Sequence, residues 1–255
     1  MPKRSTLFST RRHNRYWWYA LSDSKYIPPV FQCLSDDEWE LLNEWFYDTE
    51  QKYPSPGEIG VPGISFLSGL IGGNGLSRIV QCGHYLGFSS LMLGFLLRGM
   101  GKKQSLFSID NDKAVTKYAQ SWMDRADLNS YVKLIVNNSA NHDNVATAEE
   151  WLGGKPQLVF IDSSHQYGHT LRELDLWYDQ LTPGGILIIH DVSIYAQRFD
   201  STGAGGVLPA VNDWCEKRGG RPLLLNNFVD GTRISDPNIL TYKDGCGLGV
   251  IQKPI

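Results

Sequence analysis

Two short segments late in the chain set carboxylates beside imidazoles: Asp162 with His165 three residues on, and the adjacent pair His190 and Asp191. Such a set supports two chemistries. A histidine oriented by a neighbouring carboxylate exchanges a proton near neutral pH, so His165 or His190 is a candidate general base. Alternatively, Asp162 and Asp191 supply oxygens to Mg²⁺, which holds a substrate hydroxyl and lowers its pKa. His190 suits that ion poorly, because imidazole prefers softer metals. Each residue also has an ordinary reading alone: Asp162 as a helix cap, His165 and His169 as one solvated helix turn, His190 as a satisfied histidine at a sheet end. Tyr167 reads as a packing aromatic and Asp175 as structural.

The surrounding pattern gives the four residues a common place. From residue 76 onward, apolar runs of strand type ("RIVQC", "SLFSID", "VKLIV", "QLVFID", "GILIIH", "RPLLL", "GLGVIQK") alternate with helical stretches. Near-continuous apolar strands separated by helices predict a mostly parallel sheet covered on both faces, wound in both directions by right-handed crossovers. Ligands bind such sheets at the carboxyl ends of the strands, where the strand order reverses. The residues expected there are Gln81, Asp110, Asn137 and Asn138, Asp162, and His190 with Asp191. That row reads as a site.

The first strand runs into "CGHYLGFSS", with glycines at 83 and 87. Glycines just past a strand let backbone approach something closely. The three-glycine turn of a dinucleotide fold is missing, and no Gly-Lys-Ser/Thr follows, so neither a pyrophosphate loop nor a Walker loop is present. A nucleoside with a small charged tail remains. Asp110, ending the next strand, is placed for a bidentate bond to a ribose diol; its plainer role is to cap the following helix. His84 reads as a loop-surface residue. "SGLIGGNGLS" (68–77) precedes its strand and reads as a flexible lead-in without a ligand.

Upstream, Ser35 and Glu38 form a capping box, and Trp39, Leu42, Trp45 and Phe46 line one face of the helix it starts. "PSPGEIGVPG" breaks that pattern and divides the chain into an N-terminal arm and helical lid segment, 1–62, and a main domain, 63–255. Residues 1–22 carry five basic residues and no acid, leaving 19 basic against 27 acidic residues, a charge of −8, on the remainder. An acidic body is a poor match for a nucleic-acid groove. The basic arm reads as a solvated terminus, with a cleaved leader as the other reading. No apolar stretch is long enough to span a bilayer. Four scattered cysteines without a CxxC pair argue against zinc or a disulfide framework and suit a reducing, cytoplasmic compartment. The glycine-rich stretch 194–206 reads as a mobile lid over the acceptor. Trp17 and Trp18 read as pocket-lining or as contacts of a homo-oligomer.

"VQCGHYLGFSSLML", "FSIDND", "VNNSA", "VFIDSSHQYGHTLRELDLWYDQLTPGGILIIHDVS" and "GCGLGVIQK" together resemble a class I S-adenosylmethionine-dependent methyltransferase, of the group related to macrocin-type sugar O-methyltransferases and cephalosporin-hydroxylase-like proteins. The likeness covers residues 76–253. It implies a Rossmann-like, doubly wound seven-stranded sheet, mostly parallel with an antiparallel C-terminal strand. It also implies S-adenosylmethionine as cofactor, with Gly83, Gly87 and Ser89 around its methionine part, Asp110 on the ribose, and Asn138 and Ser139 beside the adenine. Asp162 stands both beside the cofactor and among the catalytic groups. The family pattern Asp-x-x-His favours His165 as base, and the resemblance implies a hydroxylated small molecule, a sugar or sugar-bearing natural product, as acceptor. At one position the chain departs from the pattern. Gln81 stands where the family carries an acid that accepts from the cofactor's ammonium; its carbonyl accepts without the charge. A non-catalytic adenosyl-binding or interaction protein on the same fold is the alternative that this departure and His190 leave open.

Overall fold

The computed structural model describes residues 27–55, 57–226, 242 and 244–255. The basic arm with Trp17 and Trp18 lies outside the described residues. Three helices come first: α1 (Pro29–Gln32), α2 (Asp36–Lys52) and α3 (Val61–Asn74). There follow β1 (Ile79–Cys82), α4 (Phe88–Gly99), β2 (Leu106–Asp110), α5 (Lys113–Arg125), β3 (Val132–Val136), α6 (Asp143–Leu152), β4 (Leu158–Ile161), α7 (Tyr167–Gln180) and β5 (Ile186–His190). A 3-10 turn (Tyr195–Phe199), α8 (Val207–Lys217), β6 (Leu223–Leu225) and β7 (Leu248–Gln252) complete the chain.

The seven strands lie in the order β3-β2-β1-β4-β5-β7-β6. β1 to β5 pair in parallel, and β7 runs antiparallel between β5 and β6. This is the expected doubly wound sheet. Its order reverses between β1 and β4, whose ends face the ligand side.

Period-two alternation sends successive strand residues to opposite faces. Ile79, Leu106, Leu158 and Ile188 join one core with α2 to α5, while Val80, Phe107, Val159 and Ile189 join the other with α6 to α8. The four cysteines are free, and no described helix is long and apolar enough to cross a membrane.

The N-terminal segment is part of this packing. The Ser35–Glu38 capping box is present, and Trp39, Leu42, Trp45 and Phe46 are buried. The lead-in expected at 68–77 is instead mostly helix: α3 buries Val61, Ile64, Leu67 and Ile71 along one stripe, and burial of that stripe outweighs the low helix propensity of its glycines. The boundary expected at residue 62 therefore falls in the first turn of α3.

Candidate active site

The two loop glycines approach protein backbone and side chains. At Gly83, φ is +89° and an added Cβ would sit 1.9 Å from the Asp162 carbonyl oxygen, so only glycine lets the chain leaving β1 lie so close to the chain leaving β4. Gly87, at φ +94°, caps α4 and abuts Ala119 of α5.

Gln81 is fully buried and holds this loop from within. Its Nε2 donates to the Gly83 carbonyl (2.8 Å) and to Ser89 Oγ (2.7 Å), and its Oε1 accepts from Ser90 Oγ (3.0 Å). Trp45 ties α2 to the same loop by donating to the Leu86 carbonyl at 2.9 Å, and its ring meets Phe88 at 5.5 Å.

Asp110 is the other anchor. Its Oδ2 accepts from the backbone N–H of His84 (3.2 Å) and Tyr85 (2.9 Å), and its Oδ1 from Asp112 N–H (3.0 Å). The helix cap is Asp112, which accepts from Ala114 and Val115. A carboxylate has roughly four acceptor sites, so the free capacity of Asp110 lies on Oδ1 rather than on both oxygens. His84, read as a surface residue, is 3% exposed. Its ring nitrogens pair with Ser108 and Thr116 of the neighbouring elements, and burial pushes its pKa down to about 4 despite nearby Asp110, so it is neutral.

A cavity of about 370 Å³ opens over the ends of β1, β2 and β4. Gly83, Ser89, Asp110, Asn138, Ser139, Asp162 and His165 line it, with Phe88, Ile109 and Val115 as its apolar wall. Gln81, Gly87, His190 and Asp191 are not on that wall. A mostly apolar pocket with a carboxylate and an amide in its lining suits a nucleoside. Ser164 Oγ, on a lining residue, is buried without a hydrogen-bond partner among the described residues, as a wall that completes its bonding on a ligand would be.

Against one end of the cavity stands the carboxylate–imidazole cluster. His165 Nε2 lies 3.0 Å from Asp191 Oδ2 and 3.9 Å from Asp162 Oδ1. His190 Nδ1 lies 3.1 Å from Asp191 and 3.4 Å from Asp162, while its Nε2 meets Asp244 Oδ2 at 3.0 Å. His165 and Asp191 both adopt left-handed backbone, φ +59° and +63°, a conformation that costs energy outside glycine and concentrates at working sites.

Burial opposes charge on His165, but hydrogen bonds and attraction from Asp162 and Asp191 outweigh it and push its pKa up to about 10. Burial likewise opposes charge on His190, yet Asp191, Asp244 and Asp162 raise its pKa well above the ordinary value. Against their own burial, the imidazolium of His190, helped by His165, holds Asp162 and Asp191 below the usual carboxylate range. Within the cluster, the charged forms of His165 and His190 and those of Asp162 and Asp191 thus favour one another.

Asp162, His165 and Asp191 each bring one ligand atom within 4.8 Å of the others. The set gains His165 over the expected pair of aspartates. Two carboxylates and an imidazole fit a divalent first-row ion that accepts nitrogen better than they fit Mg²⁺.

Three site residues were not legible in the sequence. Glu173 is fully buried behind the cavity, where it accepts from Ser139 Oγ and Ser163 Oγ and meets His169 at 3.2 Å. Its place three after Thr170 and four before Trp177, on the buried face of α7, was the available signal. Ser163 is its partner. Asp244 is buried against His190 from 54 positions away and has no local signature. Among the surface readings, Asp175 accepts from Trp214 Nε1 (2.7 Å) between α7 and α8, and the Tyr167 hydroxyl donates to Asp213 (2.7 Å). The stretch expected to be a lid contains the 3-10 turn and a loop clipped by Asp200, which accepts from Thr202 and Gly206.

No curated protein matches the chain. Among solved structures, an O-methyltransferase from Bacillus cereus in complex with SAH matches with TM-score 0.63 and 18% identity, over 88% of this chain and 97% of that one. The O-methyltransferase TomG from Streptomyces achromogenes, involved in tomaymycin synthesis and in complex with SAM, matches with TM-score 0.64 and 16% identity, over 85% and 90% of the two chains. An SAH-bound methyltransferase from Podospora anserina gives TM-score 0.58 and 16% identity, over 87% and 89%. Residues 80–192, which run from β1 through the His190–Asp191 pair, match the family model described as a methyltransferase domain. The chain therefore has the Rossmann-like methyltransferase fold, and its cavity and charged cluster belong largely to the segment that carries the family match.

Proposed function

We propose that the protein transfers a methyl group from S-adenosylmethionine to a hydroxyl of a small molecule, of the sugar or sugar-bearing kind that the resemblance implies. One observation carries this reading: a single cavity joins the Asp110 wall to the Asp162–His165 edge of the charged cluster. In it, Asp110 Oδ1 takes a ribose hydroxyl, Asn138 and Ser139 border the adenine, and Ser89 and the 83–86 backbone enclose the methionine part. Gln81 acts through the loop and does not touch the cofactor.

In the chemical step the acceptor oxygen forms a bond to the methyl carbon as the S–CH₃ bond breaks, and the hydroxyl proton must leave. With Nε2–H directed at Asp191, proton exchange falls to His165 Nδ1. His165 must first shed the proton that its neighbours hold. His190, paired on both nitrogens, is a fixed cation that keeps Asp162 and Asp191 in place. In the alternative, metal-assisted route, a divalent ion held by Asp162, neutral His165 and Asp191 would supply positive charge that lowers the hydroxyl's pKa, and His165 would then serve as a ligand in place of a base.

The test is release of S-adenosylhomocysteine from S-adenosylmethionine across a panel of sugars and hydroxylated natural products. His165→Ala is expected to lower turnover by about 10²–10⁴-fold, the usual weight of a general base, with little change in cofactor affinity. Chelation followed by addition of Mg²⁺ or Mn²⁺ separates metal-assisted from metal-free transfer. Cofactor binding without transfer to any member would instead favour the non-catalytic alternative.

A further inference from the structure

Past His165 the wall of the site continues into the 3-10 turn Tyr195–Phe199. The Phe199 ring lies 5.6 Å from the His165 ring and 6.1 Å from Tyr195, yet Phe199 remains 41% exposed. Arg198 stacks its guanidinium 3.5 Å from the Tyr195 ring centre and 5.4 Å from that of Phe199. Stacking fixes the plane of the guanidinium and leaves its N–H edge available for a planar oxyanion.

Arg98 is answered by Glu38, Arg125 by Glu44, and Arg218 by Asp175 and Asp179; exposed Arg172 and Arg221 meet no carboxylate among the described residues, and Arg198 differs from them in stacking on two rings beside the site. Arg198 is exposed and has no carboxylate partner among the described residues, although the site beside it is rich in acids. The 5.6 Å and 5.4 Å legs through Phe199 place its guanidinium carbon no more than 11.0 Å from the His165 ring centre. One small molecule spans that distance.

We propose that Arg198 anchors the methyl acceptor, and that the acceptor carries an oxyanion, carboxylate or phosphate, besides the hydroxyl that is methylated. The exposed Phe199 face packs against the acceptor's carbon skeleton between the two. This rests on the methyl-transfer reading above. Arg–oxyanion pairs are frequently bidentate, which fixes orientation as well as affinity, so Arg198 sets which hydroxyl reaches His165.

The experiment first titrates the protein with S-adenosylhomocysteine. The loaded protein is then titrated with glucose, glucuronate and glucose 6-phosphate, and with catechol against 3,4-dihydroxybenzoate. At least one anionic probe is expected to bind tenfold or more tightly than its neutral counterpart, and the glucuronate and phosphate arms distinguish the two anions. Arg198→Ala should erase that preference without changing affinity for S-adenosylhomocysteine, and Arg198→Lys should restore part of it. Equal binding of neutral and anionic probes, no binding of any anionic probe, or a preference that survives Arg198→Ala would overturn the proposal. Failure at the first titration defeats the cofactor reading itself and is distinguished by its place in the sequence of measurements.

Discussion

At the scale of single residues, the charged cluster sets a pH dependence with a definite sign. His165 ordinarily titrates at 6.5 and is raised to about 10 in the folded chain. Its stabilising contribution is complete below pH 6.5 and is lost as pH rises through about 10. Asp162 and Asp191 are depressed from an ordinary 3.8, so their contribution is present above that value and is lost as pH falls through the folded one. In the metal-free, ligand-free protein, thermal melts from pH 6.5 to 10 should show Tm falling, and His165→Gln should flatten that fall while His190 keeps part of it. Identical slopes for the two proteins would mean that His165 is not held as a cation. Gln81 yields an opposite test of the family pattern. A glutamate there cannot donate to the Gly83 carbonyl, and leaving that acceptor unpaired costs about 1–3 kcal/mol. Gln81→Glu is therefore expected to lower stability without tightening S-adenosylhomocysteine binding, read by denaturant melts and calorimetry. Tighter binding would show that an acid at 81 reaches the cofactor after all. The sequence made Gln81 legible as a departure but not its bonds to Gly83, Ser89 and Ser90, because local spacing does not reveal the partners of a buried amide.

At the scale of elements, glycines with similar local appearance carry different burdens. Gly83→Ala must move β1 away from the Asp162 carbonyl and hold an L-residue at φ +89°, a cost on the order of 3 kcal/mol or more. It should abolish cofactor binding together with its loss of stability. Gly69 and Gly73 lie exposed on α3 with nothing within 4 Å of an added Cβ, so alanine at either should stabilise by about 0.5–1 kcal/mol. Chemical denaturation of the three variants checks both signs. α3 also marks where reading by pattern failed. Glycine punctuation at 68–77 suggested a loop, whereas the apolar stripe Val61, Ile64, Leu67, Ile71 was the stronger signal. The capping box of α2 and every strand from β1 to β5 were legible, because each depends on residues adjacent in the chain. His84 was not: Ser108 and Thr116, which bury it, come from the next strand and helix.

At the scale of the whole molecule, alternation of apolar runs and helices was enough to give the doubly wound sheet, and the sheet was enough to bring Asp110, Asp162, His190 and Asp191 to one edge. What it left out are the long-range ties: Trp45 of the N-terminal helix on the Leu86 carbonyl, and Asp244 of the C-terminal segment on His190. Both ends of the chain thus brace the site, so ligand binding should stabilise the molecule as one unit. The most direct measurement is calorimetric titration of the intact protein with S-adenosylhomocysteine. Saturable one-site binding is predicted, weakened at least tenfold (about 1.4 kcal/mol) by Asp110→Ala and unchanged by His165→Ala. A flat titration of well-folded protein, or binding indifferent to Asp110→Ala, would contradict the assignment of this cavity to an adenosyl cofactor.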